Sequence, residues 1–276
     1  VKLPKPRPGE PIGLIAGNGE LPLLFAREAL RRGHPLFIAA VRGETSPEVE
    51  ALGTKTEVLS VGQLGGLVSF FRKNHVKKAA AEGQIRHAHL FKNIRFDLKA
   101  LALLMRLKDR SGAALMTAVG DELAKCGTDL MDCRTFMEDL LAPEGRLTKA
   151  RSKGDAVASI VYGLPLAKMF AEKGVGQTLV VKKSAVVAVE AVEGTNAAIL
   201  RGGELAGEGA VVIKVASPTH DWRFDTPTIG PATVEHLIQA KAAGIVAQAG
   251  STFILQREKA VALADKHGVF IEVVRR

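Results

Sequence analysis

Between Ser217 and Pro231 the chain reads SPTHDWRFDTPTIGP, which sets two carboxylates, Asp221 and Asp225, around Arg223 and the single tryptophan, Trp222. A carboxylate in such a place can orient or deprotonate a water, or hold a hard cation such as Mg²⁺. Arg223, and Lys214 just upstream, are suited to offset negative charge developing on a phosphoryl group. Trp222 and Phe224 supply packing or an acyl-chain contact, and apolar neighbours of this kind tune pKa values. Three prolines and a glycine make the stretch a loop. A solvated turn with a local Arg–Asp pair has the same spacing, so the loop alone leaves both readings open.

Two further polar clusters are expected at strand ends in the second half. One is Gly176-Gln177 before a strand. The other is Glu190-Ala-Val-Glu193-Gly194-Thr195-Asn196. Glu190 and Glu193 lie three apart, which changes face along a strand, so one of them is expected beyond the strand end. With Asp225 they form a candidate oxygen-ligand set for Mg²⁺. No P-loop, H-E-x-x-H, G-x-S-x-G or EF-hand pattern occurs, and the seven histidines show no metal-ligand spacing.

The elements that must position these groups read as α/β. Ile12 to Ala16 is an apolar run ending in Gly17-Asn18-Gly19-Glu20. Helical spacing follows from Leu23 to Arg32, and Pro35 to Val41 reads as a strand. This is a right-handed parallel βαβ unit. Its Gly loop either cradles a phosphate or ribose at a helix N-terminus, or is a tight turn needing positive φ. A strand at Glu57–Val61, a helix at Gln63–Asn74 and a strand at Lys77–Ala81 follow; the last runs into Glu82-Gly83-Gln84, where doubly wound sheets bind ligands. Leu98–Arg106 and Ala113–Lys125 read as helices, and Asp132–Leu141 as a strand and turn. Pro143-Glu144-Gly145 is the expected junction, giving domains 1–145 and 146–276. In the second, a helix spans Asp155–Lys173. Strands follow at Thr178–Val181, Ala185–Val192 and Ala210–Val215, with Gly202-Gly203 read as a turn. Ala232–Ala243 and Arg257–Lys266 read as helices, and Ile245–Ala249, Thr252–Leu255 and Val269–Val274 as strands.

The 276 residues are 47% hydrophobic but only 5% aromatic, so the core must be mostly small aliphatic residues. Two cysteines, Cys126 and Cys133, fit a reducing compartment and no disulfide framework. The Pro-rich start lacks the apolar region of a secretory signal and reads as a tail, and no run is long enough to span a membrane. A net charge of +9 attracts nucleic acid, an anionic membrane or a phosphorylated ligand. The basic residues are dispersed, and one Tyr and one Trp make no stacking platform. A membrane surface or an anionic small molecule is therefore expected, and no nucleic acid.

Four segments in order then carry a resemblance: GLIAGNGELP (13–22), Gly176-Gln177, AVEAVEGT (188–195) and RFDTPTIG (223–230), with Ala249-Gly250 similar too. Together the segments resemble those of the LpxI-type UDP-2,3-diacylglucosamine pyrophosphatases. The resemblance implies a Rossmann-like N-terminal domain with a parallel sheet and a second α/β C-terminal domain carrying the catalytic loop. It implies Mg²⁺-dependent hydrolysis of UDP-2,3-diacylglucosamine to UMP and 2,3-diacylglucosamine 1-phosphate (lipid X) in lipid A synthesis. The protein would then be cytoplasmic, act at the cytoplasmic face of the inner membrane on its UDP-linked acylated glucosamine, and have a second copy of itself as a candidate partner. Asp225 becomes the leading catalytic or metal-associated group, with Arg223 and Lys214 supporting. Gly17, Asn18, Gly19, Gly83, Gln84, Asp132, Gln177, Gly194, Thr195 and Asn196 become substrate contacts. This chain departs from the pattern at Asn196 (usually Asp), at Ser217–His220 (usually K-P-x-Q) and at Gln248 (often Glu). A non-catalytic nucleotide-sugar or lipid-binding protein on the same scaffold is thus the alternative. A dinucleotide-dependent oxidoreductase is disfavoured by the imperfect Gly loop and by Val41-Arg42 where an acid should close the second strand.

Overall fold

The computed structural model describes residues 3, 5–85, 96–109 and 112–275. The chain divides into two compact units, 1–138 with 221–225, and 139–220 with 226–276.

The first unit is built on a five-stranded sheet in the order β3-β2-β1-β4-β5. Its strands are β1 (Ile12–Ala16), β2 (Leu36–Val41), β3 (Lys55–Leu59), β4 (Lys78–Glu82) and β5 (Asp129–Leu130), all parallel. β1, β2 and β4 are Ile-, Leu- and Ala-rich and buried, whereas β3 is an edge strand with a mostly exposed pattern. Helix α1 (Leu21–Arg31) has Pro22 in its first turn, where the missing N–H costs nothing. A short α2 (Pro47–Glu50), capped by Ser46, was not legible as a helix because it is a single turn. Helices α3 (Leu64–Lys73), α4 (Leu98–Arg106) and α5 (Gly112–Lys125) complete the layer. One carboxylate, Asp97, caps α4 through Ala100 N–H at 2.9 Å and also receives Gly65 N–H of α3 at 2.6 Å. Leu64, Leu67, Val68, Phe70 and Phe71 pack with Ala39, Ala79 and Leu123 as the core beneath.

The strand expected at Asp132–Leu141 is corrected. β5 ends at Leu130, with Met131 N–H still donating to the Ala79 carbonyl at 2.7 Å; the expected turn is present at 133–136, and a 3₁₀ turn follows at Glu138–Leu140. The reason is local: Asp132 Oδ1 takes the backbone N–H of Arg134, a bond that replaces a sheet ladder. Phe136 adopts a positive φ of 72° while its ring packs on Phe25 and His34.

The second unit carries a six-stranded mixed sheet, β6-β13-β11-β9-β7-β8. In chain order the elements are β6 (Gly145–Arg146), α6 (Asp155–Glu172), β7 (Thr178–Lys182), β8 (Ala185–Val189), α7 (Thr195–Ala206) and β9 (Val211–Lys214). Then come β10 (Thr228–Ile229), α8 (Pro231–Gln239), β11 (Gly244–Gln248), β12 (Phe253–Ile254), α9 (Arg257–Lys266) and β13 (Phe270–Val274). β9, β11 and β13 are parallel, β6, β7 and β8 join antiparallel, and β10 pairs with β12. Apolar clusters cover both faces of the sheet, one under α7, α8 and α9 and the other under α6.

The Gly202-Gly203 turn is a second correction, because both glycines lie inside helix α7. A Cβ on Gly202 would lie 2.7 Å from Val180, and one on Gly203 would lie 2.6 Å from the Ala240 methyl. The pair is there for close helix–sheet and helix–helix approach, not for a turn. The α/β class and the parallel first sheet stand as expected.

Candidate functional site

In the first unit the residues converge where the chain reverses its winding direction, at the C-terminal ends of the neighbouring strands β1 and β4. Ligands of open α/β sheets bind at such a switch point. The Gly17–Gly19 loop and Gly83-Gln84, both expected contacts, are joined there. Gly17 N–H donates to the Glu82 carbonyl at 2.8 Å, and Asn18 and Gln84 exchange backbone hydrogen bonds at 2.7 and 2.9 Å. Gly83, at φ 86°, has no room for a Cβ, which would stand 2.5 Å from the Asn18 carbonyl. The glycines therefore bring two backbone loops into contact. Gly19, at φ 104°, has open space where a Cβ would be.

Glu82, the last residue of β4, is only 4% exposed, and its Oε1 has no hydrogen-bond partner. Burial, then the charge of Asp225, then that of Asp132, push its carboxyl well above the ordinary carboxylate range. Asp225 and Asp132 thus share one electrostatic environment with a residue that sequence reasoning passed over. Its signal was present: an acid closing an otherwise Ala-rich buried strand.

Residues 221–225 belong to this first unit. Arg223 makes a fork on Asp221, with Nε to Oδ1 at 2.9 Å and Nη2 to Oδ2 at 2.7 Å, and its Nη1 stands 3.5 Å from Asp121. These two aspartates hold the guanidinium firmly charged, with Asp221 dominant. Asp132 is held by Arg134 through Nε at 2.9 Å and Nη2 at 2.6 Å. Asp225 itself is exposed.

The second unit gathers another set. Lys214, closing β9, is 4% exposed and donates from Nζ to Thr195 Oγ1 at 2.6 Å and to Thr178 Oγ1 at 3.3 Å. Thr195 Oγ1 donates to Glu190 Oε1 at 2.8 Å. Gly194 is the N-cap of α7, with Thr195 and Asn196 in its first turn. A lysine beside the N–H groups of a twelve-residue helix is suited to an anion. Gln177 accepts Val215 N–H through its carbonyl at 2.9 Å, tying the start of β7 to the end of β9. Gly176 allows the Glu190 carbonyl to lie directly against it, in the space a Cβ would fill. Glu193 is engaged elsewhere, in an ion pair with Arg201 at 2.6 Å. Its own backbone N–H and Arg201 hold its carboxyl below the ordinary range.

The three departures have structural occupations. Gln248 Oε1 accepts Ala216 N–H at 3.1 Å, Ser217 Oγ accepts Thr219 N–H at 3.2 Å, and Asn196 is exposed on the first turn of α7. Neither Cys126 nor Cys133 is in a disulfide. Among the described residues no helix is long and apolar enough to cross a membrane, and no group of three His, Cys, Asp or Glu stands in metal-ligand geometry.

Fold and sites together define an α/β protein of two units, one with a sheet switch point lined by glycine loops and acids, the other with a lysine at a helix N-terminus. The description "LpxI N-terminal domain" matches residues 11–140 and "LpxI C-terminal domain" matches residues 143–272. The chain is 30% identical over 271 residues to the protein named UDP-2,3-diacylglucosamine pyrophosphatase LpxI of Caulobacter vibrioides, covering 94% of this chain and 96% of that one. The chain belongs to the LpxI family.

Proposed function

We propose that this protein hydrolyses the pyrophosphate of UDP-2,3-diacylglucosamine, releasing UMP and 2,3-diacylglucosamine 1-phosphate in lipid A synthesis. The observation that carries this reading is the match of both halves, in order, to one family, with near-complete coverage of a relative bearing that activity in its name. In the reaction a water oxygen bonds to one phosphorus, the bridging P–O bond breaks, and a proton leaves the water. Both products depart as phosphomonoesters.

Asp225 orients the water or takes its proton. Its exposure leaves it open to substrate, and its charge is one of the causes that push the buried Glu82 carboxyl up. Lys214, with Thr195 and the first turn of α7, supplies positive potential for phosphoryl oxygens. Arg223 acts with its charge partly offset by Asp221 and Asp121. The backbone of Gly17, Asn18, Gly19, Gly83 and Gln84 lines the place for the nucleotide or sugar.

The family resemblance brings Mg²⁺ with it. Glu82 Oε1 is a buried oxygen without a hydrogen-bond partner near the charges of Asp225 and Asp132, but no three acids among the described residues stand in metal-ligand geometry and Arg134 holds both oxygens of Asp132, so these residues do not fit the ion as a ready-made site. Of the other expected ligands, Glu190 accepts from Thr195 through Oε1 and keeps a buried Oε2 without a hydrogen-bond partner, and Glu193 is paired with Arg201. The reading also includes peripheral association with the cytoplasmic face of the inner membrane, supported by the net charge of +9 and by exposed apolar side chains such as Leu98 and Met105.

Purified protein incubated with UDP-2,3-diacylglucosamine and Mg²⁺ is expected to release UMP, and chelation with EDTA to stop it. Tight binding of the UDP-lipid without UMP release would instead establish the non-catalytic alternative.

A further inference from the structure

Residues 221–225 lie in the first unit although the chain on both sides of them belongs to the second. Something must hold them there, and the contacts are specific. The Arg134 guanidinium lies 3.7 Å from the centroid of the Trp222 ring, inside the range of a strong cation–π contact. The Trp222 carbonyl accepts Cys133 N–H at 2.8 Å. Arg134 is 5% exposed, and its planar fork is fixed on Asp132 by two side-chain hydrogen bonds, so it is a rigid plate under the indole. Two residues on, Phe224 and Arg223 rest over Gly120, where a Cβ would meet them at 3.0 and 3.1 Å. The segment is thus gripped at three successive side chains immediately before Asp225.

We propose that Arg134 is a positioning residue: locked on Asp132 and stacked on Trp222, it holds residues 221–225 so that Asp225 is presented to the reaction. Arg134 touches neither substrate nor reacting atoms in this role. The inference rests on the pyrophosphatase reading for its chemistry and on the Arg134–Trp222 stack for its geometry.

Trp222 is the chain's single tryptophan, so its fluorescence reports the stack directly. Arg134→Ala is expected to red-shift Trp222 emission and increase acrylamide quenching by about twofold. The same change is expected to lower kcat by roughly tenfold to a hundredfold, as for a misplaced catalytic group, with KM changed by less than about threefold. Arg134→Lys keeps the charge without the plate and falls between. Trp222→Ala loses activity as Arg134→Ala does, the double variant is no worse than either single one, and Trp222→Phe recovers most of what Trp222→Ala loses. Wild-type kcat in Arg134→Ala overturns the proposal. So does lost activity with unchanged Trp222 quenching, or multiplied losses in the double variant. Should Arg134→Ala not fold, equal kcat in Trp222→Ala and Trp222→Phe overturns it. Quenching is read without substrate. A wild-type protein that releases no UMP therefore defeats the pyrophosphatase reading, whereas unchanged quenching in Arg134→Ala defeats this one.

Discussion

Asp225 and Glu82 form an unequal pair of acids. Asp225 is exposed, so its substitution should cost chemistry and not stability. Asp225→Asn is expected to lower kcat for UMP release by at least about 100-fold, with thermal unfolding unchanged. A variant that keeps wild-type turnover removes Asp225 from the mechanism. Glu82 behaves oppositely, because its carboxyl is raised in the folded state, so the native protein binds the proton more tightly than the unfolded chain does. Its contribution to stability is intact below the unfolded value of about 4.5 and is lost as pH rises above it. In EDTA, Glu82→Gln should melt above wild type at pH 8, with the gap closing as pH falls below 4.5. An equal gap at pH 4 and pH 8 would mean that burial of charge is not the cause. Asp225 was legible as a candidate because it sits in a loop with its own punctuation. Glu82 was not singled out, since its importance comes from two acids distant in sequence, Asp132 and Asp225.

At the scale of elements, the readable pieces were those whose own residues suffice. β1, α1 and β2 announce themselves by an apolar run, a glycine turn and helical spacing. α7 did not, because its two adjacent glycines mimic a turn and only packing reveals their use. Gly203 lies against Ala240 at the start of the turn after α8. Gly203→Ala should therefore destabilise the protein by about 2 kcal/mol, measured by urea unfolding, although alanine is the better helix former. A neutral or stabilising result would show that α7 and α8 have slack. In the run from Asp132 to Leu141 only the expected turn forms, because the Asp132 side chain takes the Arg134 N–H.

Across the whole molecule, a basic protein acting on a lipid-linked anion should bind anionic vesicles through charge. Co-sedimentation with phosphatidylglycerol vesicles is expected at low salt and should weaken severalfold towards 0.5 M salt, where the Debye length falls to about 4 Å. Equal binding to neutral phosphatidylcholine would point to the exposed apolar side chains, Leu98 and Met105 among them, instead. Composition, the βαβ opening and the ordered signature segments settled the α/β class and the family resemblance, because those signals are local or depend only on order along the chain. The tertiary structure decided which acids share an environment, where Lys214 finds Thr195 and Glu190, and that residues 221–225 join the first unit under the grip of Arg134. Most of those outcomes depend on contacts between residues far apart along the chain, and no local pattern of residue types encodes such distances.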